Sequence, residues 1–153
     1  MPTKKRPIAF RFFTLFLSAS VILMLAGQTV ANFNYDLTVR SGLQESIGQV
    51  GEFGVQVNRA FGVGDTIIYI PLMIVSVVGL IFKKRWALLT TAAVTGISAY
   101  WTATVASIFL FGPGAPDYNY SPPPGIWLFV WTYLAFGVCG MLYLVFRGEK
   151  LIQ

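Results

Sequence analysis

The chain has 153 residues, of which 56% are hydrophobic and only 11% are charged. That composition lies outside the range of soluble globular domains and is typical of membrane proteins. The formal net charge of +5 does not indicate a nucleic-acid-binding protein, because the lysines and arginines lie between apolar segments and not on one folded face. We therefore expect membrane lipid as a partner and no nucleic acid.

The absence of histidine and the single cysteine limit the chemistry of any site. Without histidine the chain has no Ser-His triad, no histidine general base and no histidine ligand for haem or zinc. Cys139 lies within an apolar stretch, so we expect neither a disulfide framework nor a Cys/His metal cluster. The sequence predicts a protein with no catalytic residues, no bound metal and no cofactor.

Four apolar segments are long enough to cross a bilayer, which takes roughly 17–25 residues in a helix. They comprise residues 10–31, 66–82, 86–111 and 126–146. The predicted fold class is all-α, a polytopic membrane protein with four transmembrane helices that form one domain over residues 1–153. Residues 1–31 could also be a cleaved signal peptide, because Thr29-Val30-Ala31 precedes Asn32 after a basic start. We favour a retained span because the apolar run is long.

Basic residues predict the orientation of the spans. Nine of the eleven fall on one side of the membrane, and only Arg40 and Arg59 fall on the other. Because cytoplasmic loops carry an excess of lysine and arginine, both termini are expected in the cytoplasm. The nine are Lys4, Lys5, Arg6, Arg11, Lys83, Lys84, Arg85, Arg147 and Lys150. As a whole the chain is similar to small bacterial inner-membrane proteins, which implies the plasma membrane.

The two connections on the outer side differ in composition. Residues 112–125 contain five prolines, which predicts a turn-rich, non-helical loop. Over about 41–61 the apolar residues recur at helical spacing, which predicts an amphipathic cap helix on the outer surface. Those residues are Leu43, Ile47, Val50, Val57 and Phe61. Glycines within this segment weaken a helix, so an irregular loop remains the alternative.

Two stripes of side chains predict how the spans pack. Small residues let a neighbouring backbone come close, and they occur in the third and fourth spans at Ala92, Gly96, Ala99, Ala103, Gly137 and Gly140. A second stripe of hydroxyls comprises Thr91, Thr95, Ser98 and Thr102. We favour structural hydrogen bonding for these hydroxyls, and a polar conduit is the alternative.

Aromatic residues and one acid are concentrated in the outer half of the spans. Pro71 removes a helical hydrogen bond and is expected to bend the second span in that half. We predict that the side chains near this bend line an outward-facing cleft for a lipid or another apolar molecule. The candidate ligand-binding residues are Asp65, Tyr69, Tyr100, Trp101 and Trp131. Ordinary aromatic packing is the alternative.

Asp65 supports two interpretations. Gly62, Gly64 and Asp65, with Tyr35-Asp36 upstream, resemble the Gly-x-Gly-Asp intramembrane aspartyl proteases, which include presenilin, signal peptide peptidase and the prepilin peptidases. The resemblance implies that the two aspartates share a proton, one activating water while the other protonates the carbonyl or leaving group. Asp65 also stands at the expected start of a helix, where aspartate is a preferred N-cap residue. We favour the N-cap interpretation.

These features predict a non-catalytic membrane protein that acts through contacts. It would serve as an accessory subunit of a larger membrane complex, through other subunits or self-association, or as a scaffold or lipid-binding bundle. An oligomeric channel or transporter is the first alternative, and it is disfavoured because no acid or base is expected inside a span. An intramembrane protease using Asp65 and Asp36 is the second alternative.

Overall fold

The computed structural model describes residues 6–153, and all regular structure in that range is helical. Lys4 and Lys5 of the basic N-terminal cluster lie outside the described residues. Four of the helices are long and apolar enough to cross a membrane, which confirms the prediction of a helical membrane bundle. The helices are α1 (Ile8–Phe33), the short α2 (Tyr35–Arg40), α3 (Ile47–Ile81), α4 (Trp86–Phe111) and α5 (Pro124–Leu151).

The first and last residues that the structure describes lie at the same end of the bundle. The guanidinium of Arg6 donates a hydrogen bond to the carbonyl of Ile81 at 3.0 Å. The ammonium of Lys83 donates to the carbonyl of Gln153. We call this the basic end, and the opposite end, which carries residues 34–46 and 112–123, the loop end. An even number of crossings follows, and the cytoplasmic placement of the basic end stays a prediction.

The second span begins much earlier than the sequence predicts. Residues 52–61 do not form a separate cap helix, because they continue into the span, and only residues 47–50 are set off from them by the non-helical backbone of Gly51. The backbone of Gly64 is helical, with φ −58° and ψ −44°, so Asp65 lies inside the helix and the N-cap interpretation is wrong. Helix α3 starts instead after Ser46, whose backbone N–H donates to the side chain of Gln49 at 2.8 Å.

A bend in the first turn of α3 receives the proline-rich loop. Gly51 has φ +68°, a left-handed conformation that favours glycine. A Cβ atom at this position would lie 3.0 Å from the Cβ of Asp117. The backbone N–H of Asn119 donates to the carbonyl of Gln49 at 2.7 Å. The loop therefore folds back over the start of α3.

Both α1 and α3 contain a wider π-helical segment, and the two segments touch. The segments are Leu25–Thr29 in α1 and Asp65–Tyr69 in α3. The hydroxyl oxygens of Thr29 and Thr66 lie 2.9 Å apart. Because the Thr66 hydroxyl already donates to the carbonyl of Gly62 at 2.7 Å, Thr29 is the donor of this pair. In α3 the π segment ends two residues before Pro71. The distortion of the second span that Pro71 predicts is therefore this π segment.

Helices α4 and α5 approach closely along glycines of α5. A Cβ atom at Gly137 would lie 2.5 Å from the backbone N of Ala99, and one at Gly140 would lie 2.7 Å from Thr95 Cγ2. At Gly96 the added Cβ would meet only the sulfur of Met141, at 3.8 Å. Of the small residues singled out in α4, Ala92 is partly buried and Ala103 is exposed.

The hydroxyl stripe of α4 faces the interior of the bundle. All four side chains are fully buried, namely Thr91, Thr95, Ser98 and Thr102. Each hydroxyl donates to the carbonyl four residues earlier in its own helix, at 2.6–3.1 Å. These bonds use the hydroxyl protons locally and so favour structural hydrogen bonding over a polar conduit.

Candidate functional site

Four of the five candidate ligand-binding residues line one pocket between α3 and α4, which we call the lateral pocket. It has a volume of about 450 Å³, and its lining includes Asp65, Tyr69, Tyr100 and Trp101. Trp131 does not line it. That side chain is 54% exposed and stacks on Trp127, with ring centroids 6.1 Å apart.

The lateral pocket lies in the half of the spans nearer the loop end. Asp65 is 16 residues from Ile81, the last residue of α3, which corresponds to about 24 Å along the helix. Trp101 is 15 residues from Trp86, the first residue of α4, or about 22 Å. Since the hydrocarbon core of a bilayer is about 30 Å thick, both side chains lie at a depth that lipid chains reach.

Asp65 is a buried acid inside one of the four helices that are long and apolar enough to cross a membrane. The π segment of α3 places it, its side chain is 5% exposed, and Oδ2 has no hydrogen-bond partner among the described residues. Burying a carboxyl oxygen without a partner destabilises a protein. Asp65 therefore lies inside a helix that is long and apolar enough to cross a membrane and not before it, which weakens the objection to a channel or transporter.

Trp101 presents a second buried polar group without a partner. The residue is 9% exposed, and its Nε1–H has no acceptor among the described residues. Its ring packs edge-to-face on Phe129 at 6.1 Å, which holds the indole in place. An indole N–H can only donate, so a ligand that satisfies it must offer an acceptor.

The two tyrosines of the lateral pocket differ in their surroundings. Tyr69 is 2% exposed, and its hydroxyl lies 2.6 Å from Ser98 Oγ. Since Ser98 donates to the carbonyl of Val94 at 2.9 Å, Tyr69 must be the donor to Ser98. Tyr100 is 73% exposed and stands at the mouth of the pocket. The side chain of Tyr69 is therefore held in the wall of the pocket by its hydrogen bond, whereas the side chain of Tyr100 is exposed at the mouth.

A second cavity, which the sequence did not predict, lies at the loop end of the bundle. This outer cavity has a volume of about 250 Å³ and is bounded by all four spanning helices and both outer connections. Phe61 and Trp101 line both spaces and form the wall between them. Several of its polar residues come from the outer connections, namely Gln44, Glu45, Tyr118 and Tyr120. Local hydropathy does not predict where residues of such connections lie in the fold.

Long-range hydrogen bonds build the polar side of the outer cavity. The amide of Asn58 donates to Glu45 Oε2 at 2.8 Å and to the hydroxyl of Tyr35 at 3.0 Å. The Tyr35 hydroxyl donates in turn to the backbone carbonyl of Glu45 at 2.9 Å. The amide of Gln44 donates to the carbonyl of Gly27 in the π segment of α1, at 3.1 Å. These bonds tie α2 and the connection after it to α1 and α3.

The aspartates of the protease-like pattern lie in different surroundings. Asp36 is exposed in the first turn of α2, whereas Asp65 is buried in α3. Neither Tyr35 nor Asp36 lines the lateral pocket. The structure therefore does not bring the two acids together at that pocket.

Comparison with protein-family models, with curated protein sequences and with solved structures gives no match for this chain. No family therefore assigns a role to the lateral pocket or the outer cavity. Their lining residues are the basis on which a role can be assigned.

Proposed function

We propose that this chain is a non-catalytic integral membrane protein that binds an amphipathic molecule, such as a membrane lipid, in the lateral pocket. The observation that carries the proposal is an apolar pocket between two helices whose lining residues Asp65 and Trp101 each carry a buried polar atom without a partner, Oδ2 and Nε1. A ligand with an apolar body and a hydroxyl-like group would offer a donor to the carboxyl and an acceptor to the indole.

The chemistry of the lining supports binding over catalysis. Of the residues that the structure describes, Asp65 is the one acid that lines the lateral pocket, and no lysine, arginine or cysteine of that part of the chain lines it. The hydroxyl of Tyr69 is already engaged with Ser98. A two-acid mechanism would need a second carboxyl facing Asp65.

Lipid binding is also better supported than a role as an accessory subunit or scaffold. The small residues of the third and fourth spans, among them Gly137 and Gly140, were expected to form close contacts between helices. In the structure α4 covers both of them, with Ala99 and Thr95 in contact. A partner would have to use the exposed apolar faces of the helices, which suit lipid equally well.

Retention of lipid by pocket-filling variants tests the proposal. Gly64 lines the lateral pocket and a Cβ added there meets nothing within 4 Å, so Gly64→Leu should fill the space without a clash. Displacing two ligand methylene groups removes about 1.6 kcal/mol of burial, or slightly more than tenfold in affinity. Native mass spectrometry should find a lipid retained by the wild type after detergent washing and lost from Gly64→Leu.

The matched control is Gly125→Leu, since Gly125 also has open space around it and lines neither the lateral pocket nor the outer cavity. This variant should retain lipid as the wild type does. Equal retention by Gly64→Leu and the wild type would refute binding at the lateral pocket.

An oligomeric transporter is a second candidate, favoured by the position of Asp65 inside a span. Ionisable residues at such depth commonly mark a substrate or ion pathway. Proteoliposomes should then show solute or proton flux that Asp65→Asn abolishes and Asp36→Asn leaves intact. Flux that is the same in Asp65→Asn and in the wild type would count against this candidate.

A further inference from the structure

The outer cavity has the surroundings of a cation site. Among residues 6–153, Glu45 is the one carboxylic acid in its lining, and no lysine or arginine of that range lines it. Six aromatic side chains form much of the remaining wall, namely Phe61, Trp101, Phe109, Tyr118, Tyr120 and Phe129. A carboxylate among aromatic faces attracts an organic cation, because the negative faces of the rings add to the attraction of the carboxylate.

Glu45 is held in position but is not neutralised. Asn58 fixes its Oε2 through a 2.8 Å hydrogen bond. The one ion pair within residues 6–153 joins Arg85 to Glu149 at the basic end, so Glu45 has no cationic partner in that range. Burial first, and the nearby Glu45 carboxylate after it, raise the pKa of Tyr118 and also that of Tyr120, the latter to about 12. The carboxylate thus acts on the same tyrosines that line the cavity.

Two buried donors on residues that line the outer cavity lack acceptors. The Nε1–H of Trp101 and the hydroxyl of Tyr118 have no hydrogen-bond partner among the described residues, and both residues line the outer cavity. Trp101 is more than nine-tenths buried. A cation alone would leave these donors unsatisfied, so the occupant must also carry an oxygen acceptor.

We propose that the outer cavity binds a small ammonium group carried next to an oxygen acceptor, as in choline- or ethanolamine-type molecules. The ammonium lies against Glu45 and the aromatic wall, and the oxygen accepts from Trp101 and Tyr118. The volume of about 250 Å³ suits a headgroup-sized molecule, since a 150 Å³ cavity already holds benzene. The same chemistry occurs in free amines and in lipid headgroups. The outer cavity and the lateral pocket share Phe61 and Trp101, and the one indole N–H of Trp101 can donate to a ligand in only one of them. The two proposals are told apart because each space has its own cavity-filling variant.

Calorimetric titration of the full chain with choline, in nanodiscs of phosphatidylglycerol alone, tests the proposal. The matched probe is 3,3-dimethyl-1-butanol, which has the shape of choline but no charge. We expect choline to bind at least about tenfold more tightly than the neutral probe, and Glu45→Gln to remove this preference. Glutamine keeps an acceptor for Asn58, so that variant should fold.

Two cavity-filling variants locate the binding. Gly27 lines the outer cavity and a Cβ there meets nothing within 4 Å, so Gly27→Leu should block choline, whereas Gly64→Leu in the lateral pocket should not. If choline binds to neither variant, or equally to both, the assignment to the outer cavity is overturned. A folded Gly27→Leu protein is verified by circular dichroism before titration.

A second arm distinguishes the source of the ammonium group. If free choline does not bind, the chain should retain phosphatidylcholine or phosphatidylethanolamine over phosphatidylglycerol from mixed vesicles, and Glu45→Gln should abolish this preference. That result assigns a lipid headgroup, and choline binding assigns a free amine. Neither binding nor preference, or a choline affinity equal to that of the neutral probe, overturns the proposal and leaves a water-filled cavity.

Discussion

Replacing Gly137 by alanine is expected to destabilise the contact between α4 and α5. The new Cβ would lie 2.5 Å from the backbone N of Ala99 and 2.8 Å from the carbonyl oxygen of Thr95. Both are backbone atoms and cannot rotate away, so the helices must separate. Overpacking of this kind costs about 1–3 kcal/mol. Alanine also recovers up to about 1 kcal/mol of helix propensity relative to glycine, which partly hides the effect.

The variant Gly96→Ala serves as the matched control. It gains the same propensity in the same pair of helices, but its Cβ meets only the sulfur of Met141 at 3.8 Å, an ordinary contact. The difference between the two variants therefore isolates the clash, and Gly137→Ala should be less stable than Gly96→Ala by about 1–3 kcal/mol. Unfolding by SDS titration in mixed micelles, followed by tryptophan fluorescence, measures this difference. A Gly137→Ala protein as stable as Gly96→Ala would refute the close approach.

Three further substitutions probe bonds and backbone elsewhere in the bundle. Gly51→Ala should lower the free energy of unfolding by about 1–3 kcal/mol, because φ is +68° and the new Cβ meets Asp117; a thermal melt unchanged from wild type contradicts this. Tyr69→Phe should lower the free energy of unfolding by about 0.5–1.5 kcal/mol, because it loses the hydrogen bond to Ser98. An unchanged free energy of unfolding in an SDS titration would contradict that bond. Thr66→Val should lose about 1–3 kcal/mol, because two donors on α1 lose their acceptor; wild-type stability would contradict the contact.

Hydropathy located the spans because hydrocarbon requires long apolar helices, whatever their neighbours. The predicted third span, residues 86–111, coincides with α4. The start of the second span was missed because Asp65, preceded by Gly62 and Gly64, was interpreted as the N-cap residue of that helix. In the structure a Cβ at Gly62 would lie 2.9 Å from the carbonyl oxygen of Gln28 in α1. The glycine permits two helices to touch, a tertiary reason that local sequence does not reveal.

The sequence predicted the candidate site only as far as the depth of a residue along its span determines whether it belongs to the site. Asp65 and Trp101 fall at similar distances from the basic end of their helices, and the sequence placed both toward the outer side of the spans. Depth does not specify which face of a helix a residue occupies, which is why Trp131 was included although it stacks on Trp127. The outer cavity depends on contacts such as Asn119 with Gln49, between residues far apart in the chain.

Irregular backbone and unpartnered polar groups gather at one level of this bundle. The π segments of α1 and α3 meet through Thr29 and Thr66, and Asp65 opens the second of them. Inside hydrocarbon a protein must satisfy polar groups internally, so stability alone would favour an apolar residue over Asp65, with its unpartnered oxygen. Proline accounts for only one of the two π segments, since Leu25–Thr29 contains none. Ligand binding would explain the unpaired acid, the unpaired indole N–H of Trp101 and the two π segments together, because a ligand at this level would form the hydrogen bonds that the fold does not supply.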